Sequence, residues 1–275
     1  MSITSIIDLG LIMRSLVEKG YGEAMANALY GNYTTLAVPM LNLATAVISP
    51  IALSYLPIFT RCCVTSDRGA LLKTQRSAIE LTAVLGAPMM IGLIVFSKEI
   101  LALLFPRSEI SVGAALLCLI APSILFSSLL ITVNTLLEAK GRVKAPLISM
   151  TVGSIAKIAV SYYLIARTEM GILGAPVGTV ISYATALIVS IIIYSNSFKC
   201  HIPLFSASFL PHLNAAASVM LARLFFDRIQ LTLDPRLSLI ISIVLAALIY
   251  LIISMISGVL SRRKMSELAK YTKLT

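Results

Sequence analysis

The stretch GSIAKIAVSYYLI, residues 153–165, decides the solvent in which this chain folds. Apart from Lys157 its residues are apolar, aromatic or small, and the apolar run that contains them extends from Pro146 to Ile165. A helix needs roughly 20 such residues to cross a hydrocarbon core about 30 Å thick. The stretch therefore predicts a membrane-spanning helix, and the single ammonium at its centre has to be explained by what surrounds it.

The composition of the whole chain also points to a membrane. Apolar residues make up 58% of the 275 residues and charged residues 12%, and the mean hydropathy is +0.96. In water-soluble domains about a quarter of the residues are usually charged. This chain therefore has too few charged residues to form a water-exposed surface. The net charge of +10 does not indicate nucleic acid binding, because the basic residues lie in short clusters between apolar runs.

Seven apolar runs are long enough to cross a bilayer as helices, and an eighth is shorter. The predicted spans are 36–59, 78–96, 112–137, 146–165, 171–194, 210–226 and 237–259. The sixth run is the weakest, and its Arg223 is interpreted as snorkelling from near the helix end. The short run, Ile3 to Met13, is interpreted as the second half of a helix whose first half is missing, because it lacks the features of a signal peptide. We predict an all-α polytopic membrane protein of about seven transmembrane helices and an amino-terminal partial helix.

Two groups of residues within the spans predict how the helices bend and pack. Pro39, Pro50 and Pro57 lie in the first span, where each removes a backbone donor and bends the helix. Gly174 and Gly178 lie four residues apart in the fifth span and let a neighbouring backbone approach closely. We therefore expect a bent, movable first span and a close helix contact on the fifth.

The distribution of lysine and arginine predicts the orientation of the chain. Alternate connections fall into two sets, with thirteen and seven basic residues. The first set comprises 60–77, 138–145, 195–209 and the tail from 261. The second set comprises 14–35, 97–111, 166–170 and 227–236. Since cytoplasmic loops are the more basic ones, we expect the first set and the carboxyl terminus to be cytoplasmic, with the basic tail against the anionic inner leaflet.

Four stretches of the chain follow one another in an order that is familiar from one transporter family. They are ALYGNYTTLAVPMLNLATAVISPIALSYLPIFTR (28–61), ILALLF (100–105), APSILFSSLLITVNTLLEAKGRVKAPLISMTVGSIAKIAVSYYLI (121–165) and GILGAPVGTVISYATA (171–186). In this order they resemble the carboxy-terminal half of the MOP-superfamily flippases of polysaccharides and lipid-linked oligosaccharides. That group includes the stage V sporulation protein B family and the lipid II flippases. The resemblance covers nearly the whole chain and weakens after about residue 200.

The resemblance implies a MATE-like architecture of two six-helix lobes and a final helix pair. Residues 1–200 would form the second lobe and 201–260 the final pair, followed by the basic tail 261–275. It also implies that the protein is a transporter and not an enzyme. The transporter would move a lipid-linked saccharide, a polysaccharide or peptidoglycan precursor, across the cell membrane by alternating access. The expected partners are membrane lipids, this substrate and a missing amino-terminal lobe. Glu138 departs from the family, which usually has glutamine there.

Ionisable and amide groups within the spans are the candidate substrate-binding residues, because they are costly in lipid and mark transport pathways. Lys157 is too far from either end of its span to snorkel, so we expect it to face a watery or protein-lined cavity; a structural lysine bonded to carbonyls is the alternative. Asp8 and Arg14 lie on the first segment, which borders the central cavity in the resembling family, and Asp8 is either a coupling-ion site or the counter-ion of Lys157. Asn42 and Asn134 either contact substrate or join helices.

Three other functions are weighed against lipid translocation. A multidrug or cation antiporter of the MATE type would rely on a buried carboxylate, for which Asp8 is the plausible residue, whereas Lys157 and Arg14 suit an anionic substrate. A membrane-embedded transferase would need an acidic pair or a histidine for acid–base or metal chemistry. His201 and His212 lack zinc spacing, so no catalytic residue, metal or cofactor is predicted. The last alternative is a truncated half-transporter that is inactive alone.

Overall fold

The computed structural model describes residues 3–105, 110–199, 202–230 and 233–259. These residues form twelve α-helices and contain no β-strand. The helices are α1 (Ile3–Glu18), α2 (Glu23–Asn32), α3 (Val38–Ser54), α4 (Leu56–Val64), α5 (Arg68–Val95), α6 (Ser97–Leu104), α7 (Ile110–Ile120), α8 (Ser123–Ala139), α9 (Ala145–Arg167), α10 (Gly174–Phe198), α11 (Leu204–Ile229) and α12 (Pro235–Ile256). The predicted tail 261–275 and His201 lie outside the described residues.

Seven helical segments are long and apolar enough to cross a membrane, which confirms the predicted fold class. They are Glu23–Val64, Arg68–Val95, Ile110–Ala139, Ala145–Arg167, Gly171–Phe198, Leu204–Ile229 and Pro235–Ile256. Most extend a few residues beyond the predicted apolar runs, because the polar residues at their ends are helical as well. The largest difference is at the first crossing, which begins at Glu23 and not at 36, so the predicted connection 14–35 is mostly helix. Ala26 and Leu29 of this added part are buried.

The first crossing departs from regular α-helix near Pro39 and Pro57, whereas Pro50 lies inside the continuous helix α3. Pro39 has no backbone donor, and its ring clashes with the carbonyl one turn earlier. A π-helical turn at Tyr33–Ala37 lies just before it and joins α2 to α3. A second break lies at Tyr55, between α3 and α4, with Pro57 in the first turn of α4. Two interruptions of the helix thus lie in the span that was expected to bend, and π-helical turns are frequent at functional sites.

Close contact between α9 and α10 depends on three glycines. A Cβ atom at Gly178 would lie 2.0 Å from Ser161 Oγ, and one at Gly174 would lie 2.7 Å from the Cβ of Leu164. Both glycines of the predicted small-residue motif thus lie against α9. A third, Gly153, was not singled out in the sequence; its Cβ would lie 2.6 Å from the backbone oxygen of Ser182. Because the contacts pair early residues of one helix with late residues of the other, α9 and α10 are antiparallel.

Arg223 of α11 connects the last helix pair to the rest of the bundle. Its Nη1 donates to Glu99 Oε1 of α6 at 2.6 Å, and its Nε lies 3.2 Å from Asp227 Oδ1. The guanidinium carbon lies 5.5 Å from the ring centroid of Phe96 and 5.2 Å from that of Phe226. The guanidinium is therefore held by protein groups, which the interpretation as a snorkelling residue did not foresee.

We expect Arg223→Met to lower the free energy of unfolding by about 1–2 kcal/mol, since it removes two partly exposed ion pairs and two cation–π contacts. Thermal unfolding in detergent micelles measures the effect. Arg228→Met is the matched control, because Arg228 is exposed on the same helix and forms no ion pair among the described residues. Equal shifts for the two variants would contradict the role of Arg223 as a clamp.

Candidate functional site

Lys157, near the centre of α9, is paired with Asp8 of α1. Its Nζ donates to Asp8 Oδ2 at 2.5 Å, and the two side chains are 15% and 17% exposed. Just after the carboxyl ends of the same two helices, Lys19 Nζ donates to the carbonyl of Thr168. Both contacts join residues 149 positions apart, so α1 and α9 run parallel and side by side. The lysine thus faces protein and a carboxylate, the arrangement in which an intramembrane charge is tolerated.

A small cavity of about 150 Å³ lies beside the ion pair. Its wall contains Asp8 and Lys157, and it also includes Asn42 of α3. Three of the five predicted substrate-binding residues are therefore brought to one place by α1, α3 and α9. A water molecule occupies about 30 Å³ in the liquid, so the cavity is large enough for a few waters or for one phosphate-sized group.

Tyrosines and threonines form the rest of the polar wall, and they were not among the predicted substrate-binding residues. Tyr30, Tyr33 and Thr34 come from the helical turn at the α2–α3 junction, and Thr179 and Tyr183 come from α10. The hydroxyls of Tyr33 and Thr179 are hydrogen-bonded at 2.9 Å. The spacings i, i+3 and i+4 in the first group and i, i+4 in the second are those of single helix faces. That periodicity of polar residues within apolar runs is the signal that could have found them.

Arg14 does not reach this cavity. It is exposed and lines a separate groove of about 800 Å³ with Glu18, Glu23 and Tyr162, at the carboxyl-terminal end of α1. In that groove the hydroxyl of Tyr162 donates to Glu18 Oε1 at 3.2 Å. The role of Arg14 as a substrate-binding residue stays a prediction, and the structure places Arg14 away from Lys157.

Asn134 lies between α8 and α10, where its Oδ1 accepts a hydrogen bond of 2.8 Å from Ser190 Oγ. One turn along α10, Tyr194 donates to Gln75 of α5. These contacts join three neighbouring helices by polar bonds. The arrangement favours the helix-joining alternative for Asn134 over substrate contact.

His212, the histidine that the structure describes, lies within α11 with its Nδ1 2.7 Å from the carbonyl oxygen of Ser208. Among the described residues no cluster of histidine, cysteine, aspartate or glutamate is arranged to hold a metal ion.

The described residues form a polytopic helical bundle with an ion pair and a polar cavity between its helices, an arrangement typical of membrane transporters. The family model of the lipid II flippase MurJ matches residues 29–229, and the chain belongs to that family. Families of this kind transport their substrate and do not transform it, so the expectation of a non-enzymatic family is confirmed.

Two individual proteins to which the chain is similar are considerably longer than the chain. A solved structure, the lipid II flippase MurJ in an inward closed conformation, superimposes with a TM-score of 0.69 at 19% identity, over 92% of this chain and 51% of its own length. The uncharacterized membrane protein YabM of Bacillus subtilis (strain 168) is 29% identical over 174 residues, 63% of this chain and 32% of YabM. The chain thus spans about half of the first protein and a third of the second.

Proposed function

We propose that this chain forms one half of a flippase that translocates a lipid-linked saccharide, the precursor of peptidoglycan or of another cell-surface polysaccharide, across the cell membrane by alternating access. The observation that carries the proposal is the Lys157–Asp8 pair beside a polar cavity between spans. Membership of the lipid II flippase family supports the substrate class. A second bundle supplies the facing wall, since the chain spans only part of each relative.

The ion pair contains an ammonium that an anionic substrate can bind. A lone lysine at a helix centre costs about 2.5–3.5 kcal/mol to insert, and Asp8 neutralises it at rest. A phosphate oxygen is a ligand of the same kind as the Asp8 carboxylate oxygen, so a substrate diphosphate can replace Asp8 at the ammonium. The antiporter alternative is weaker, because the family model that matches the chain is that of a lipid II flippase.

The size of the cavity requires a conformational change. At about 150 Å³ it is too small for a saccharide headgroup, and ligand cavities for larger molecules usually exceed 300 Å³. Rocking of one bundle against the other would open it, as in other two-bundle transporters. The bent first crossing, with its π-turn at the cavity wall, is the segment we propose to move. We place the carboxyl terminus in the cytoplasm, on the lysine and arginine distribution.

The test is translocation of lipid II in cells depleted of their own lipid II flippase. The chain is expressed alone or together with an amino-terminal bundle of the same family, and the lipid II that reaches the outer leaflet is measured with a membrane-impermeant reagent. We expect outer-leaflet lipid II only when both bundles are present. Its absence with both, at normal membrane levels, would contradict the proposal and favour the inactive half-transporter.

A further inference from the structure

A second pocket lies where four helix ends meet, and neither the family nor the proposed function assigns it. The helices α4, α8 and α10 end there and α5 begins there, so it lies at a membrane surface. Its volume is about 690 Å³. We call it the basic pocket; it is lined by Cys62, Cys63, Val64, Ser66, Asp67, Arg68, Leu71, Leu72, Ala139, Lys140, Phe198 and Lys199.

Three cations stand around this pocket. Arg68 and Lys199 are exposed and take part in no ion pair among the described residues. Lys140 lies 4.1 Å above the ring of Phe198 and donates to the carbonyl of Ser197, which leaves donors free on its ammonium. The pocket therefore presents more positive charge than its own residues neutralise.

The one carboxylate in the pocket, Asp67, offsets one of the three positive charges, so an excess of positive charge remains. Asp67 Oδ1 accepts the backbone N–H of Ala70 at 2.9 Å and so caps the amino terminus of α5. Ser66 and Lys199 both have left-handed backbones, with φ of 54° and 51°. They are the non-glycine residues of the described chain with positive φ, and both line this pocket. Sparsely populated backbone conformations of this kind collect at ligand sites.

The inner wall of the basic pocket is apolar. Leu71 and Phe198 are buried within it, Leu72 is 44% exposed, and Val64 is 80% exposed. A soluble anion needs the cations and not this wall, whereas an amphiphile with an anionic headgroup uses both. At a membrane surface the abundant molecules of that kind are acidic phospholipids.

We propose that the basic pocket binds an acidic glycerophospholipid of the surrounding leaflet. Arg68, Lys140 and Lys199 contact the lipid phosphate, and the apolar wall receives the upper part of an acyl chain. The site is separate from the Lys157 cavity, so it does not depend on the proposed transport function. A lipid bound in the basic pocket would contact the ends of four helices, so their packing would depend on the acidic lipid content of the leaflet.

The absence of tryptophan from all 275 residues allows a direct test. Leu72→Trp places the single tryptophan fluorophore in the pocket wall. The protein is reconstituted in phosphatidylcholine vesicles that contain either brominated phosphatidylglycerol or brominated phosphatidylcholine at the same mole fraction, and quenching is compared. We expect stronger quenching by the acidic lipid, with a preference on the order of fivefold for each contributing cation. An Ile192→Trp fluorophore, on an exposed part of α10 outside the pocket, should be quenched equally by both lipids.

Two double variants in the Leu72→Trp background locate the effect. Lys140→Ala/Lys199→Ala should reduce the preference for phosphatidylglycerol by on the order of 25-fold, to what Arg68 alone contributes. Quenching by phosphatidylcholine should stay unchanged, as the sign that the fold is intact. Arg142→Ala/Lys144→Ala removes the same charge from exposed residues outside the pocket and should keep the preference. Equal quenching by the two lipids in the parent would overturn the proposal. A preference that the first double variant leaves unchanged, or one that both double variants reduce equally, would overturn it as well. So would relief of quenching by inorganic phosphate but not by chloride of equal ionic strength, which would indicate a soluble-anion site.

Discussion

Lys157→Met is expected to abolish translocation and to destabilise the chain. The substitution removes the ammonium proposed to meet the substrate phosphates and leaves the carboxylate of Asp8 unpaired between helices. Removal of one partner from a buried ion pair usually costs about 3–5 kcal/mol. Since the side chains are 15% and 17% exposed, we expect about 3 kcal/mol, at the lower end of that range. Translocation is measured with the two-bundle lipid II assay, and stability by thermal unfolding in micelles.

The double variant Lys157→Met/Asp8→Asn separates the two effects. It removes both charges, so no unpaired carboxylate remains, and we expect the free energy of unfolding to return to within about 1 kcal/mol of the parent. Translocation should stay absent, because the ammonium is still missing. A double variant that is both stable and active would make the pair a purely structural feature and would end its role in the mechanism.

A surface ion pair provides the matched control for the stability measurement. Arg76 Nε lies 2.9 Å from Glu80 Oε1 on α5, with the Arg76 side chain 58% exposed. Removal of such a pair typically changes stability by about 0.2–1 kcal/mol. Arg76→Met should therefore have a much smaller effect than Lys157→Met and should leave translocation intact.

The membrane-spanning helices could be predicted from the sequence because each apolar run carries its own signal. Hydropathy identifies the segment that lies in the hydrocarbon core, but it does not identify the residues at which the helix begins and ends. This is why the helical residues 23–35 were interpreted as a connection. They contain Asn27, Asn32 and Thr34 among their apolar residues, but their alanine and leucine content favours a helix. Capping and packing decide where a helix ends, and a hydropathy average contains no information about either.

The candidate site could be predicted only one side chain at a time. Lys157 and Asp8 each stand out as a charge in an apolar run, and the counter-ion alternative was open. That they meet follows from α1 and α9 being parallel neighbours, which no local pattern reveals. Tyr30 and Tyr33 were overlooked because a tyrosine in a span is also an ordinary packing or interfacial residue. Likewise Arg223 finds Glu99 on a separate short helix, 124 residues away in the chain.

Gly153→Ala is expected to have the second largest effect, on the contact between α9 and α10. The added methyl would lie 2.6 Å from the backbone oxygen of Ser182 and 3.0 Å from the Cβ of Ala186. A backbone carbonyl cannot rotate away, so the two helices must separate and lose packing along their length. Overpacking of this kind costs typically about 1–3 kcal/mol, and we expect the upper end of that range in thermal unfolding. Gly92→Ala is the control, because a Cβ there meets no atom within 4 Å, and alanine is the better helix former.

Gly178→Ala clashes differently, and this difference tests the geometry itself. Its methyl would lie 2.0 Å from Ser161 Oγ, an atom with no hydrogen-bond partner in the described part of the chain. Ser161→Ala should therefore be nearly neutral alone and should recover most of the stability lost in Gly178→Ala, leaving a tight contact of 3.1 Å with the Cβ of residue 161. The same substitution should not rescue Gly153→Ala, whose obstacle is backbone. Rescue of both variants, or of neither, would show that α9 and α10 do not pack in this register.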